Sequence, residues 1–541
     1  MSSSRRSFLQ QASALSLLYS AQRALPQTVV QPAMPHMQMP KVTSPDPTPP
    51  RIGPPMLNTL QLTPFVDPLP LPEILRPSLQ NGHHTLTLTM REIRAKVHRD
   101  VPLTRMWSYG PTALAPLVEA RAGEPLQIRW VNDLPTKHFL PIDQSLHGCG
   151  PNIPEVRTIA HLHGAKVPSQ DDGYPDDWFT PGHSRTCTYP FQQDATALWF
   201  HDHAMGINRL NTYAGLFGML LLRDHVEDSL HLPSGKYEIP LILYDRDFSA
   251  TGQLFYDVSG DPEHPWIPEF TADGVLINGK IRPFFEVEPR LYRFRLLNTA
   301  NSRFFNLSLS NGQPLIQIGT DQGLLSSPVE LHRLTLASAE RADILIDFTH
   351  SAGQTLHLRT GAFDILELRV AKQAAAPASG IPKILRPIER IPESSATTTR
   401  TLTLHEYQDE AARPMVMLIN RKHWHEPTTE KPKLNSTEIW EFVNLTEDTH
   451  PMHLHLVRFQ ILDRRPFDTD DYLVNKKLRF TAPAEPPAPN ELGWKDTVQC
   501  PSGVITRIIV RFEGYTGKYL YHCHILEHEA NDMMRPFEVI A

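Results

Sequence analysis

Ten of the 26 histidines in this 541-residue chain fall in four short clusters. Each cluster contains an H-x-H pair, in which one residue separates two imidazoles. The pairs are His161 and His163, His201 and His203, His453 and His455, and His522 and His524. Successive side chains of a strand point to opposite faces, so both imidazoles of a pair would lie on one face. Eight imidazoles brought together could hold three metal ions, although imidazole alone does not distinguish Cu, Zn, Fe and Ni.

A cysteine decides which metal is expected. Cys523 lies between the two histidines of the fourth pair, so in a strand its thiol would face the opposite side. There it could meet His450, His528 and Met533. Two His, one Cys and a weak axial Met are the ligands of blue-copper electron-transfer sites. Residues 522–524 therefore predict a mononuclear copper on one face, joined by a few covalent bonds to a metal cluster on the other.

The elements that must position these residues read as strands. The chain contains 51 prolines, which argues against long helices and favours short strands joined by turns. Three runs of alternating residues resemble one another, and each ends in Asn: 126–132 (LQIRWVN), 292–298 (YRFRLLN) and 438–444 (EIWEFVN). They are spaced 166 and 146 residues apart, which is the size of a domain. The pattern predicts an all-β chain of three β-sandwich units, at 56–228, 229–383 and 384–541.

The histidine clusters are divided between these units. Two H-x-H pairs lie in the first unit and two in the third, whereas the middle unit has no comparable cluster. We therefore expect the metal cluster at the seam between the first and third units. Four cysteines cannot crosslink a chain of this length into a disulfide scaffold. Cys149 and Cys187 both fall in the first unit, and their spacing leaves open whether they pair.

The N-terminus has the features of a protein-export signal. Residues 4–10 (SRRSFLQ) precede a short apolar stretch at 12–19, which is typical of a bacterial twin-arginine export signal over residues 1–24. This predicts a periplasmic or extracellular protein. Residues 25–55 are proline-rich and lack periodicity, as in a linker. The segment from Met34 to Met39 could bind Cu(I) weakly through thioethers and one imidazole, or be only solvated linker.

Composition and charge limit the possible partners. The net charge is −7 and no long Lys/Arg run occurs, which argues against nucleic acid. No stretch of 18 apolar residues is present, so no transmembrane helix and no membrane insertion are expected. Nothing in the sequence demands an oligomer, and a monomer is expected.

From about Leu57 to the C-terminus, the chain resembles the multicopper oxidases, in particular laccases of the bacterial spore-coat type. The resemblance rests on five segments: HLHGAKVPSQDDGYPDDWF from His161, WFHDHAMGINRLNTYAGLFG from Trp199, HPMHLHLVRFQILDRRPFD from His450, GWKDTVQ from Gly493 and YHCHILEHEANDMMRPF from Tyr521. It implies three cupredoxin-like Greek-key β-sandwiches and four copper ions, one of type 1, one of type 2 and two of type 3.

The resemblance also implies a role for each residue of these motifs. The type 1 ligands would be His450, Cys523, His528 and axial Met533. The type 2 ligands would be His161 and His453. One type 3 copper would be held by His163, His201 and His524, and the other by His203, His455 and His522. Asp172 and Glu529 match acids that supply protons to the reduced oxygen, which needs four of them.

The implied reaction is the one-electron oxidation of phenols and aromatic amines, coupled to the reduction of O₂ to water. Electrons would enter at the type 1 copper and pass through Cys523 to the three-copper cluster. Two alternatives stay open. The Met34–Met39 segment and the export signal also suit a periplasmic cuprous oxidase in copper tolerance, with Cu(I) as substrate. A copper-binding protein without turnover is the third possibility, although every ligand position is retained.

Overall fold

A computed structural model describes residues 54–112, 115–259, 265–373, 380–407 and 416–541. The predicted signal at 1–24 and nearly all of the predicted linker at 25–55 lie outside these residues, and both stay predictions. Among the described residues, no helix is long and apolar enough to cross a membrane. All four cysteines are buried and free, so Cys149 and Cys187 are not paired.

Residues 74–223, the first segment, form two sheets of five strands. One sheet has the order β1-β5-β10-β9-β7, and the other has the order β2-β3-β6-β8 with β4 beside β3. The strands are β1 (Ile74–Leu75), β2 (Ser78–Gln80), β3 (His83–Ala95), β4 (Thr104–Ser108), β5 (Leu117–Arg121), β6 (Leu126–Asp133), β7 (Ala160–His163), β8 (Ser184–Tyr189), β9 (Thr196–Asp202) and β10 (Phe217–Arg223).

Residues 238–370, the middle segment, form a sheet of eight strands and a sheet of five. Their orders are β14-β13-β11-β16-β21-β18-β19, with β12 beside β11, and β15-β23-β22-β17-β20. The strands are β11 (Glu238–Phe248), β12 (Leu254–Phe255), β13 (Gly274–Ile277), β14 (Lys280–Ile281), β15 (Phe284–Val287), β16 (Leu291–Asn298), β17 (Phe305–Leu309), β18 (Leu315–Thr320), β19 (Gly323–Leu331), β20 (Leu334–Leu336), β21 (Arg341–Asp347), β22 (Thr355–Thr360) and β23 (Phe363–Val370).

Residues 398–539, the third segment, form sheets of the order β25-β24-β26-β30-β28 and β29-β27-β31-β32. The strands are β24 (Thr398–Tyr407), β25 (Val416–Ile419), β26 (Thr437–Asn444), β27 (His450–Leu454), β28 (Phe459–Pro466), β29 (Thr497–Cys500), β30 (Val504–Arg511), β31 (Gly517–Cys523) and β32 (Met534–Val539). The described helices are short: α1 (Asn208–Ala214), α2 (His225–Ser229), α3 (Thr469–Asn475) and α4 (Leu526–Ala530). Single 3₁₀ turns occur at Thr59–Gln61, Ser169–Asp171, Gly235–Tyr237, Glu393–Ser395 and Pro489–Glu491.

The three similar sequence runs are equivalent strands, namely β6, β16 and β26. Each pairs in parallel with an earlier strand (β3, β11 and β24) and antiparallel with a later one (β8, β21 and β30). In β6 the alternation buries Leu126, Ile128 and Trp130 and leaves Arg129 exposed, as a half-buried strand requires. The prediction of an all-β fold of three cupredoxin-like sandwiches is confirmed. The boundaries at 228/229 and 383/384 stay predictions.

The shared Asn at the end of each run has one structural role. The side-chain oxygens of Asn132, Asn298 and Asn444 each accept from the backbone N–H two residues later, at 3.2, 2.9 and 2.9 Å. Each amide also donates to a distant backbone oxygen, of Phe179, Leu336 and Cys500 respectively. Asn suits this Asx turn because it carries both a donor and an acceptor. The turn after Asn444 leads directly to His450.

Candidate metal centre

The H-x-H pairs lie where strands end, in one sheet of the first segment and one of the third. β7 and β9 are antiparallel and place His161 opposite His201. β27 and β31 are antiparallel and place His453 opposite His522. The second member of three pairs comes directly after its strand: His203, His455 and His524. All eight imidazoles are buried, and the two sheets present them to each other.

Their nitrogens form three groups, within each of which the ligand atoms lie within 4.8 Å of one another. The groups are His161, His163 and His453; His163, His201 and His524; and His203, His455 and His522. In the third group, Nε2 of His522 lies 3.2 Å from Nε2 of His455 and 3.4 Å from Nε2 of His203. The two triads expected from the sequence are therefore assembled, and His163 joins the expected pair of His161 and His453.

The hydrogen bonds of these imidazoles leave lone pairs facing inward. Nδ1 of His161 donates to the backbone oxygen of Asp172 at 2.6 Å, and Nδ1 of His453 donates to that of Asp496 at 2.8 Å. A carbonyl only accepts, so each imidazole must carry its proton on Nδ1. Their Nε2 atoms are buried and have no hydrogen-bond partner in the described part of the chain; the same holds for Nε2 of His201. Buried, unpartnered nitrogens of this kind suit a metal ion.

Burial and the neighbouring imidazoles favour the neutral form of seven of these rings. Desolvation lowers the pKa well below the ordinary value, with a smaller contribution from nearby rings, in His161, His163, His201, His203, His453 and His455. The pKa of His524 falls to about 3 for the same first reason. Neutral imidazole is the form that binds metals, so these seven rings are ready to coordinate without losing protons.

A second donor group lies on the other face of β31. Sγ of Cys523 is 3.4 Å from Nδ1 of His450 and 3.7 Å from Nδ1 of His528, and the two nitrogens are 3.2 Å apart. The centre of such a triangle is about 2 Å from each atom, close to metal–nitrogen and metal–sulfur bond lengths of ~2.0 and ~2.3 Å. Burial raises the pKa of the Cys523 thiol well above its ordinary value, so a thiolate here needs a cation beside it.

Met533 closes the loop that carries this second group. Its backbone N–H donates to the oxygen of His528 at 2.9 Å, and its oxygen accepts from the N–H of Cys523 at 3.0 Å. The side chain of Met533 is buried, and helix α4, which contains His528, lies between Cys523 and Met533 in the chain. The backbone of Met533 is thus tied to those of His528 and Cys523, and the axial role of its side chain stays a prediction.

Both predicted acids contact the imidazole cluster. Oδ2 of Asp172 accepts from Nδ1 of His455 at 2.7 Å, and burial raises the pKa of this carboxyl well above its ordinary value. Oε1 of Glu529 accepts from the amide of Asn208 at 2.6 Å, and its Oε2 lies 3.1 Å from Nδ1 of His522. The two carboxyls touch different rings. Their roles in proton supply stay predictions.

Asp496 was not predicted as a site residue, although it lies in the quoted segment GWKDTVQ. Its Oδ1 accepts from Nε2 of His163 at 3.0 Å, while its backbone oxygen accepts from His453. Arg341 donates to both carboxylate oxygens at 2.7 and 2.6 Å, and Gln322 donates at 2.6 Å. Burial favours the neutral acid, but the Arg341 charge outweighs it and lowers the pKa of Asp496. The middle segment, which supplies no imidazole, thus orients two of them.

An acidic group at the outer edge of the second donor triangle was not predicted either. Oε1 of Glu269 lies 3.2 Å from Nε2 of His528, and Oε1 of Glu406 lies 3.4 Å from Nε2 of His450. Asp448 hydrogen-bonds Glu269, and burial plus the two neighbouring carboxylates raise its pKa to about 6. Glu269 is 37% exposed and Glu406 only 11%, so this acidic rim of Glu269, Glu406 and Asp448 opens to solvent at Glu269. These acids are scattered in sequence, and no local motif marks them.

Models of the multicopper oxidase family match the chain over residues 152–227 and 394–541. A laccase of Bacillus subtilis (strain 168) is 44% identical over 511 residues, 89% of this chain and 99% of that protein. A laccase of Haloferax volcanii is 37% identical over 577 residues, 99% of this chain and 91% of that protein. The crystal structure of a laccase from Pediococcus acidilactici superposes with a TM-score of 0.72 at 27% identity, covering 88% of this chain and 94% of that one.

Proposed function

This chain belongs to the multicopper oxidase family and is a copper-dependent oxidoreductase, and we propose that it oxidises phenols and aromatic amines while reducing O₂ to water. Its similarity to laccases supports this substrate class. The proposal rests on the observation that residues 522–524 connect the two donor groups. The thiol of Cys523 faces one donor group, while His522 and His524 on either side belong to the other.

We assign four copper ions to these donor groups. His450, Cys523, His528 and axial Met533 would hold the first; His161 and His453 the second; His163, His201 and His524 the third; and His203, His455 and His522 the fourth. The buried lone pairs and the spacing of the donor atoms support this set. Bound copper would supply one-electron acceptance at the first position and four-electron reduction of O₂ at the other three.

The protein's own residues have three tasks in this reaction. The covalent chain from the Cys523 thiol to the rings of His522 and His524 connects the two donor groups within three residues. Asp172 and Glu529 contact the rings of His455 and His522, and we propose that these two carboxyls carry protons to the cluster. The folded sandwiches exclude water from all eight rings, which the burial of these side chains supports.

Oxidation of Cu(I) is a second candidate function, favoured by one observation. The acidic rim places three carboxyls beside the outer nitrogens of His450 and His528. Carboxylates attract a metal cation or a cationic amine more strongly than a neutral phenol. The acidic rim therefore favours the binding of reductants that carry positive charge.

Oxygen uptake by the copper-loaded protein tests both candidates. Uptake is measured with a neutral phenol, with a cationic aromatic amine and with Cu(I), for the wild type and for Glu269→Gln, whose side chain is partly exposed. Turnover of the phenol, unchanged by the substitution, supports the aromatic oxidase. Turnover of Cu(I) alone, reduced several-fold by the substitution, supports the second candidate. No uptake on any reductant by a fully loaded protein contradicts both and leaves a copper-binding protein.

We also propose that the protein is exported by the twin-arginine route to the periplasm or the extracellular space and acts as a monomer. The Arg5-Arg6 pair ahead of an apolar stretch supports the export route. Replacing both arginines by Lys should keep the protein in the cytoplasm of a host with this route, measured by cell fractionation. Export that continues in this variant contradicts the proposal, and sedimentation tests the monomer.

A further inference from the structure

A third group of histidines lies outside both donor groups, between the first and third segments of the chain. It consists of His147, His423, His425 and Asp532 and is called the His147 cluster below. His423 and His425 form a fifth H-x-H pair, separate from the four clusters described above. This pair lies in a turn after β25, whereas the other four pairs lie on strands or directly at their ends.

One carboxylate connects the members of the cluster. Nδ1 of His147 is 3.0 Å from Oδ1 of Asp532, and Nδ1 of His423 is 2.7 Å from its Oδ2. The rings of His147 and His425 lie edge to face, with centroids 4.1 Å apart. Asp532 is nearly buried, whereas the His423 side chain is 51% exposed. The cluster is therefore closed on the protein side and open to solvent on the other.

The backbone around the cluster is held by buried groups. Trp424, between the two histidines of the pair, is buried, and its indole N–H donates to Asp176 at 3.2 Å. Arg535 is also buried and donates to four backbone oxygens of this turn, those of His423, Trp424, Glu426 and Pro427. On the other side, a Cβ at Gly206 would lie 2.2 Å from the backbone oxygen of His147, so only glycine permits this packing. The backbone that carries these imidazoles is therefore held in place by buried contacts.

We propose that the His147 cluster binds one divalent first-row transition ion, Zn²⁺ or Cu²⁺. Imidazole nitrogen and carboxylate oxygen are ligands that both ions accept, and no thiolate is present to favour Cu(I). Donor atoms at bond lengths of ~2.0–2.2 Å from one ion lie roughly 3 Å apart, as the nitrogens and the Asp532 oxygens do here. Each neutral imidazole would carry its proton on Nε2 and bind the ion through Nδ1, and His425 would supply a further nitrogen.

Such an ion would connect two parts of the chain that meet only in the fold. His147 lies in a loop of the first segment, whereas His423, His425 and Asp532 belong to the third. Asp532 directly precedes Met533, whose backbone N–H holds the oxygen of His528. The His147 cluster is therefore adjacent to the loop of the mononuclear centre but shares no ligand with it.

Zinc titration of the copper-loaded full-length protein tests the proposal, because filled copper positions leave the His147 cluster as the site under test. Loosely held metal is removed first with a chelator, and total copper plus zinc per chain is counted after equilibrium dialysis. The variants are His423→Ala, whose side chain is half exposed, and Asp532→Asn. His350→Ala removes an exposed histidine of the middle segment and is the matched control.

We expect the wild type and His350→Ala to bind one more metal ion per chain than His423→Ala. The zinc dissociation constant of Asp532→Asn should rise at least about tenfold, because this residue also orients two imidazoles. Zinc should raise the thermal midpoint of the wild type but not that of His423→Ala. Equal metal content and equal zinc affinity in the wild type and His423→Ala would overturn the proposal. A wild type that bound neither zinc nor copper beyond the four ions of the other donor groups would overturn it as well.

Discussion

Replacing Asp496 by Asn tests whether the middle segment of the chain holds the imidazole cluster in place. Asp496 lies between Arg341 of that segment and the imidazoles of His163 and His453. The substitution removes the negative charge and keeps the size of the side chain. Arg341 would then be a buried cation without a carboxylate at 2.6 Å, and His163 would donate to a neutral amide or lose its acceptor.

Two magnitudes follow from this geometry. Breaking a buried ion pair by removing one partner costs roughly 3–5 kcal/mol. A domain of 150–250 residues loses roughly 2–4 °C of thermal midpoint per kcal/mol, so the apoprotein should lose at least about 6 °C. Removing the outer partner of a metal-binding imidazole weakens metal affinity by roughly 10–100-fold. Copper should therefore leave the three-metal cluster at a lower chelator concentration.

The assay measures the thermal midpoint of the apoprotein and, separately, the copper retained against a competing chelator. Glu491→Gln is the matched control, because Arg464 donates to both oxygens of Glu491 at 2.8 and 2.7 Å without any imidazole nearby. That pair is partly exposed, so its loss should cost only about 1 kcal/mol and leave copper retention unchanged. If Asp496→Asn matched the wild type in both measurements, the assigned role of Asp496 would be refuted.

The remaining predictions concern the mononuclear centre and acid stability. Cys523→Ser should abolish the blue absorption and oxidase activity while circular dichroism shows a folded chain; turnover that survives would exclude electron entry at this residue. Met533→Leu should keep the blue absorption and raise the reduction potential, and an unchanged potential would contradict the axial role. Although burial opposes it, the charges of Arg295 and Arg293 lower the pKa of buried Glu227 to about 2. A lowered carboxyl pKa stabilises the fold above the unfolded-state value near ~4.3, so about 3 kcal/mol should be lost as the pH falls towards 2. The acid-unfolding curve of Glu227→Gln should therefore be flatter than that of the wild type, and equal curves would contradict this ion pair.

The strands that carry the imidazoles follow from local sequence. The alternation in 126–132 predicts β6, and the same pattern predicts β16 and β26. The period of two in an H-x-H pair also predicts that Cys523 faces away from His522 and His524, and the structure places it beside His450 and His528. Both predictions need only strand geometry, which is set by neighbouring residues.

By itself, the sequence determined the types of ligand, their grouping in pairs, the all-β class and the threefold repeat, because each of these is written in residues close along the chain. Asp172 and Glu529 were expected beside the imidazoles from the motifs, but only the tertiary structure decided that Asp496, Glu269 and Glu406 face them. Asp496 and His163 are 333 positions apart, and Glu269 and His528 are 259 apart. The His147 cluster likewise joins residues 385 positions apart. Such contacts depend on how the sandwiches pack against one another, and packing leaves no periodic signal in the chain.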